Sequence, residues 1–353
     1  MFQYCDRLNK YLKLLSFLVL LLIINKVINL EKAVHIQIHK KEDILGLRYE
    51  STKRSSQTVR KKEKTTIKRK TFIENCPSYN YKTEELPPCP DKMRRRFPNA
   101  LIAGVSKGGT TTLLRFLNAH PEIAARDGKL PENRYTAYFV QNEKTREWYR
   151  NLMPCSNADQ ITVERSPAYF NCNKCPQTIS EFNSNMKLIF IFREPINRTF
   201  SQYQMAKRTF KDRNKTFEES VLSTNLTQVK NNSFYIFVSR YQEHVKRWLN
   251  MFSLDQMLFL DGLTFVSSPS DALNSVEDFL GIERFFTKDM FTRGRNGKFC
   301  LSMDDVDLKC PPSTKGLLHQ SMKNSTRRTL EAYFKPLNTE FFQLINKRFE
   351  WGY

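Results

Sequence analysis

The sequence predicts an α/β fold, a P-loop-like parallel sheet flanked by helices. Three observations point to it. Residues 100–105 are an uninterrupted apolar run of strand length, as expected for a strand buried on both faces. The run leads into a glycine-rich turn, GVSKGGTTTLLRF (104–116), whose tail has helical spacing. A second run of the same kind, KLIFIF (187–192), is followed by Arg-Glu-Pro and another helical stretch. Strand, turn and helix repeated in this order give a mainly parallel sheet, with ligands at the carboxyl ends of its strands.

The elements follow in turn. Residues 111–119 form a helix with Leu113, Leu114 and Leu117 on one face, ended by Pro121. Residues 160–163 form a short strand and 187–192 the second strong one. Pro195 opens a helix running to about residue 207, since proline suits a first helical turn. Residues 234–250 read as one amphipathic helix, 257–260 as a strand, and 275–280 as a short helix closed by Gly281. A long helix over 324–346 ends the chain, and no internal repeat is present.

Before this domain lies a different kind of sequence. Residues 14–24 (LLSFLVLLLII) are almost purely apolar, with Arg7, Lys10 and Lys13 ahead of them and no small-x-small cleavage site behind. The expectation is a cytoplasmic tail over 1–10 and an uncleaved signal anchor over 11–30, with the rest of the chain in the secretory lumen. A cleaved signal peptide is the competing reading. Residues 31–96 are expected to be a largely disordered lumenal stem. Within it, residues 51–70 hold nine basic residues against one acidic, a net of +8, and almost nothing apolar to repay ordering. The domain proper is expected over 97–353.

Charge and cysteines agree with that location. The 353-residue chain carries a formal net charge of +21, which points to a polyanionic partner. A lumenal domain excludes nucleic acid and leaves acidic glycans. Asn-x-Ser/Thr sequons at Asn214, Asn225, Asn231 and Asn324 are expected to carry glycans. Asn197 also begins a sequon but sits beside a ligand-facing motif, so it is expected to be unmodified. Of eight cysteines, Cys5 is cytoplasmic and seven are lumenal, an odd number that leaves one free or paired between chains. Cys76 and Cys89 are expected to staple the entrance to the domain. Cys172 and Cys175 lack a second Cys or His pair for zinc, so disulfide bonding or a packed thiol is expected there.

Two motifs carry the chemistry. A Walker A loop places its lysine after the last glycine. Here Gly104 and Gly109 have the right spacing, but Thr110 follows and the lysine, Lys107, comes earlier. A glycine turn opening a helix at Thr110, Thr111 and Thr112 still makes an anion site, because amides converge, the helix dipole favours negative charge and Lys107 adds a full charge. A tight turn alone would explain Gly108 and Gly109 but not the lysine and threonines. The second motif is IFREPINRTFSQYQ, where Arg193 leaves the strand and Ser201 lies two turns into the next helix. An arginine and a hydroxyl beside the first loop suit a second phosphate.

Together these motifs resemble the Golgi sulfotransferases that use 3′-phosphoadenosine 5′-phosphosulfate (PAPS), and among them the heparan sulfate glucosaminyl (3-O-/N-) sulfotransferases. The resemblance covers residues 98–351. It implies that the loop Lys107, Gly108, Gly109, Thr110 and Thr111 grips the 5′-phosphosulfate. It also implies that Arg193 and Ser201, in a pattern with Glu194, Pro195, Arg198 and Tyr203, hold the 3′-phosphate. VERSPAYF (163–170) is similar to the family's (V/I)EK(T/S)PAYF. Phe299, with Cys300 and Cys310 as a disulfide hairpin, and Lys315 and Gly316 match segments over the nucleotide. His319 remains from a KGRxHP loop that here reads KGLLHQ, with Leu317 for arginine and Gln320 for proline. The family's glutamate base falls at Leu130; Glu132 is the nearest carboxylate and Glu164 the other candidate. The implied reaction is sulfuryl transfer from PAPS, without a metal, to a hydroxyl or amino group of a glycosaminoglycan, heparan sulfate glucosamine in the first place. A chondroitin-type acceptor, a non-catalytic glycan-binding member of the fold and a nucleotide kinase are the alternatives.

Overall fold

The computed structural model describes residues 87–125, 139, 145–208, 214–225, 227–294, 297–303, 306–307 and 322–352. In chain order these form β1 (Arg94–Arg95), β2 (Ala100–Gly104), α1 (Thr110–Leu117), β3 (Ile123–Ala125), α2 (Arg146–Asn151), β4 (Cys155–Ser156) and β5 (Ile161–Arg165). Next come α3 (Cys175–Phe182), β6 (Lys187–Phe192), α4 (Pro195–Arg208), α5 (Phe217–Val221), α6 (Phe234–Ser239), α7 (Tyr241–Leu249) and β7 (Met257–Asp261). The remainder is α8 (Gly262–Ser267), α9 (Pro269–Leu280), β8 (Phe291–Arg293), β9 (Phe299–Met303), β10 (Val306–Asp307) and α10 (Asn324–Leu344). The N-terminal apolar run and the basic stem lie outside the described residues. Among the described residues, no helix is long and apolar enough to cross a membrane.

Five strands form the central sheet in the order β3-β5-β2-β6-β7, every neighbouring pair parallel. The strongest strands sit in its middle because both their faces are covered. On β2, Leu101 and Ala103 enter one core while Ala100 and Ile102 enter the other; on β6, Leu188, Phe190 and Phe192 alternate with Ile189 and Ile191 in the same way. Two-sided burial is why neither strand shows polar alternation. The first core is closed by Tyr149 of α2, Ile179 of α3, Trp248 of α7 and Phe341 of α10, the second by Leu113 and Leu117 of α1 and Leu273 and Val276 of α9. A third cluster joins α4, α5 and α6 to α10 through Ile196, Tyr203, Phe217, Ile236 and Phe334.

Several expectations change. The helix expected over 275–280 begins six residues earlier, because Pro269 opens it; Gly281 does end it, at a φ of 74° that favours glycine. Residues 234–250 make two helices, since Arg240 leaves the helical region (φ −80°, ψ 70°) between α6 and α7. The entrance staple is also different: Cys89 bonds Cys155, at a Cα–Cα distance of 5.5 Å, and not Cys76. The cause is the antiparallel pairing of β1 with β4, Arg94 opposite Ser156 and Arg95 opposite Cys155, which carries the chain start past Cys155. A bond with a sequence separation of 66 contributes roughly 4 kcal/mol by restricting the unfolded chain. Cys172 and Cys175 bond each other. Cys300 is disulfide-bonded to a cysteine outside the described residues, where Cys310 also lies.

Candidate active site

Both sequence motifs fall at the carboxyl ends of neighbouring parallel strands. β2 and β6 pair from Ala100 opposite Lys187 to Gly104 opposite Phe190, so the turn after β2 and the turn after β6 open on the same edge of the sheet. The first turn is packed against backbone. The Val105 amide donates to Ile191 O at 3.1 Å and the Gly108 amide to Val105 O at 2.9 Å. A Cβ on Gly108 would lie 2.1 Å from Ile191 O, so no side chain fits there. Gly262, at the start of α8, presses on the turn from below; its Cβ would lie 2.6 Å from Phe192 O and 3.0 Å from Gly108 O.

The loop's conformation turns its polar groups outward. Lys107 has φ 72° and Gly109 φ 120°, both in the left-handed half of the map. A lysine held there costs about 1–2 kcal/mol, a strain typical of functional turns. Among the described residues, no side chain caps α1, and its first turn holds no acid. Its leading amides therefore have no side-chain cap, and the positive end of its dipole favours an anion there. Thr110 is buried, Thr111 exposed and Lys107 half-buried. The Lys107 ammonium lies 3.6 Å from Met205 Sδ of α4.

The second turn presents side chains instead. Arg193 follows β6, its backbone carbonyl accepting from Tyr241 Oη at 2.7 Å, and its side chain is exposed. Enough protein surrounds the guanidinium for desolvation to lower its pKa. Glu194 caps α4, its two carboxylate oxygens accepting from the amides of Ile196 (3.1 Å) and Asn197 (2.7 Å). Ser201 is half-buried on the same helix. These residues fit an anion at each turn, one held by amides and Lys107 and the other by Arg193 and Ser201.

Other predicted residues fall elsewhere. Phe299 is half-buried on the antiparallel sheet β10-β9-β8, with the Arg293 guanidinium 4.5 Å from its ring centroid. Glu132, Lys315, Gly316, His319 and Cys310 lie outside the described residues. Glu164 is buried on β5, with Oε2 accepting from Tyr149 Oη at 3.2 Å and Oε1 without a partner. Burial pushes its pKa up to about 8, against the opposing hydrogen bonds of Tyr169 and Tyr149. A protonated acid sealed in the core is out of reach of a substrate, which counts against it as the base. Its segment is structural in other respects: Phe170 packs against Gly104 and its carbonyl takes the Trp248 indole N–H at 3.1 Å. Among the described residues, no group of three or more His, Cys, Asp or Glu gathers to hold a metal. Asn214, Asn225, Asn231 and Asn324 are exposed, whereas Asn197 is half-buried with the other two residues of its sequon, Arg198 and Thr199, in the interior.

Sequence reasoning missed the supports of the first loop. Gln202 Oε1 accepts from Ser106 Oγ at 3.2 Å, and Arg198 Nη1 approaches Ser106 O at 3.5 Å. Their only advance signal was a place on a helix expected to follow a phosphate-binding turn.

Comparison with known proteins agrees with the two-loop geometry. The sulfotransferase domain family matches residues 97–291. The chain is 33% identical over 265 residues to heparan sulfate glucosamine 3-O-sulfotransferase 5 of Mus musculus, covering 73% of this chain and 75% of that protein. It is 34% identical over 263 residues to heparan sulfate glucosamine 3-O-sulfotransferase 6 of Homo sapiens, again covering 73% and 75%. A sulfotransferase from Alicyclobacillus acidocaldarius, 20% identical, shares the fold with a TM-score of 0.55 over 72% of this chain and 99% of that one. With its domain match and its level of identity, this chain belongs to the sulfotransferase family, in the group of the heparan sulfate glucosamine 3-O-sulfotransferases.

Proposed function

We propose that this protein transfers a sulfuryl group from PAPS to a glucosamine of heparan sulfate, at the 3-hydroxyl for which its relatives are named. The observation that carries the reading is a pair of turns on adjacent parallel strands, at Lys107 and at Arg193, that open on one edge of the sheet. A nucleotide with a 5′-phosphosulfate and a 3′-phosphate needs two such turns, whereas a nucleoside triphosphate needs one. The amides of Gly108, Gly109, Thr110 and Thr111 with Lys107 take the 5′ group, and Arg193 with Ser201 takes the 3′-phosphate. Phe299, Lys315, Gly316 and His319 are assigned to the nucleotide on the resemblance alone.

In the reaction, the acceptor oxygen bonds to sulfur as the bond from sulfur to the 5′-phosphate oxygen breaks. The hydroxyl proton passes to a base, for which Glu132 is proposed. Negative charge grows on the departing phosphate oxygen, where Lys107 and the amides stabilise it without reorganising. The chain's net charge of +21 gathers an acidic acceptor, with an association rate that falls as salt rises. We assign the sulfotransferase domain to residues 97–353, held in the Golgi lumen by a signal anchor over 11–30 and a stem over 31–96. Glycans at Asn214, Asn225, Asn231 and Asn324 and a Cys300–Cys310 bond complete the assignment.

The test is transfer of labelled sulfate from PAPS to a panel of desulfated glycosaminoglycans, followed by disaccharide analysis. Label at the glucosamine 3-hydroxyl is the expected result. Label on chondroitin alone overturns the acceptor. Nucleotide binding without transfer to any acceptor makes the protein a non-catalytic glycan binder.

A further inference from the structure

α4 meets the glycine loop with one stripe of side chains. Arg198, Gln202 and Met205 are four and three residues apart, the spacing of neighbours on a helix face. They reach Ser106 O (3.5 Å), Ser106 Oγ (3.2 Å) and Lys107 Nζ (3.6 Å) respectively. The same helix follows Arg193 and carries Ser201, so a single element touches both anion positions.

Arg198 is the unusual member of the stripe. Its relative exposure is 0%. Nε donates to Ser239 Oγ at 2.6 Å and Nη2 to Tyr235 O at 2.7 Å, both on α6, while Nη1 faces the loop. All three acceptors are neutral, and no carboxylate among the described residues forms an ion pair with it. Burial lowers its pKa to about 10, and repulsion from Arg193 adds to that. The group is therefore still protonated at neutral pH. A buried cation without a counter-ion is costly to hold, and its hydrogen bonds to Ser239, Tyr235 and Ser106 offset that cost only in part. A buried guanidinium that reaches the first turn from the helix carrying Ser201 gains most when anions sit beside that helix.

We infer that Arg198 is a positioning residue that couples the two phosphate subsites: its fork ties the Ser106 turn to α4 and α6, and its buried charge is balanced by the bound nucleotide bisphosphate. This rests on the sulfotransferase reading of the site. Two consequences separate the role from ordinary packing. Removing the charge weakens a ligand with both phosphates far more than a ligand with one. Restoring the charge alone, as in Arg198→Lys, should also recover part of that second-phosphate dependence, which a purely packing role would not do.

The experiment uses the full chain with Arg198→Met and Arg198→Lys, titrated calorimetrically with adenosine 3′,5′-bisphosphate and with adenosine 3′-phosphate, alongside thermal unfolding without ligand. Arg198→Met is expected to lose about ten- to hundredfold in bisphosphate affinity, the size of a charge-assisted bond, and several-fold less for the monophosphate. Its unliganded melting is expected below that of the wild type, because acceptors on α6 and at Ser106 lose their donor. Arg198→Lys keeps the charge without the fork and falls between. Bisphosphate affinity within twofold of wild type in Arg198→Met overturns the inference, as does an equal loss for both ligands. Should Arg198→Met fail to fold, Arg198→Lys decides: undiminished bisphosphate affinity in a less stable protein makes the arginine a packing residue. A wild-type chain that binds no bisphosphate overturns the sulfotransferase reading itself and this inference with it; wild-type binding beside an unaffected variant overturns this inference alone.

Discussion

The turns after β2 and β6, both proposed to hold anionic ends of one nucleotide, are built in opposite ways. The first is backbone: Gly108 sits where a methyl group would strike Ile191 O, and Lys107 is bent into the left-handed region to let the chain pass. The second is side chain: Arg193 and Ser201 project from an ordinary strand end and an ordinary helix. The backbone turn cannot adjust and admits no substitution at its tightest point. The side-chain turn can lose one contact at a time. The difference suits a reaction whose chemistry happens at one end of the nucleotide while the other end only anchors it.

Substitutions should rank accordingly. Gly108→Ala has the largest expected effect, because the Ile191 carbonyl belongs to β6, paired on both sides, and cannot move aside. It should destabilise the domain by about 3 kcal/mol or more and abolish transfer. Urea unfolding checks it, and a variant with wild-type stability would break the comparison. Lys107→Ala comes next, lowering kcat by about 10²–10³-fold as a lost donor to the departing oxygen. Its stability should change by no more than about 0.5 kcal/mol, since the ammonium supports no core. Transfer near the wild-type rate would remove Lys107 from the site.

The side-chain turn should respond less. Ser201→Ala is expected to weaken binding of adenosine 3′,5′-bisphosphate by about 1.5–3 kcal/mol, measured by calorimetry, with kcat close to wild type at saturating PAPS. Equal wild-type affinity for the bisphosphate and for its 3′-dephospho analogue would show that no 3′-phosphate is held there.

The smallest effect on transfer is expected from Glu164→Gln, whose readout is stability against pH. The Glu164 carboxyl is raised by burial from 4.5 to about 8, so the folded state holds a proton that the unfolded chain releases. Its neutral form is tolerated at low pH, and stability falls as pH rises from about 4.5 toward 8, by at most a few kcal/mol. Glutamine should flatten that slope and leave transfer nearly unchanged. A slope that persists in the variant would mean that Glu164 is not its source. His244, lowered to about 4 mainly by burial, bends the curve the other way, losing stability as pH falls from about 6.5 toward 4.

The parts legible in the sequence were those whose cause is local. β6 was expected over its observed residues because Lys187 to Phe192 is apolar throughout its buried length, and α4 because Pro195 opens it. The placement of Lys107, Arg193 and Ser201 at strand-to-helix turns could be read because each motif lies within one turn and its flanking elements. What escaped depends on distance. β1 and β4 are two residues each, too short for any periodicity, yet their pairing sets the Cys89–Cys155 bond. The contacts from Arg198, Gln202 and Met205 to the glycine loop span 92 to 98 residues of sequence, and no pattern within α4 announces them. The break at Arg240 has the same character, since Tyr235 O and Ser239 Oγ, just before it, serve Arg198 on another helix.

The Cys89–Cys155 bond has a mechanical meaning. β2, the glycine loop, α1, β3 and α2 all lie between the two cysteines in sequence. A pull on the chain ahead of residue 89 passes through the sulfur bridge into β4 and cannot lengthen the segment it encloses. Arg95 reinforces the same junction, donating to Met153 O at 2.5 Å and to Pro87 O at 2.6 Å. The force path bypasses the glycine loop, which stays unstretched until the bridge itself is reduced.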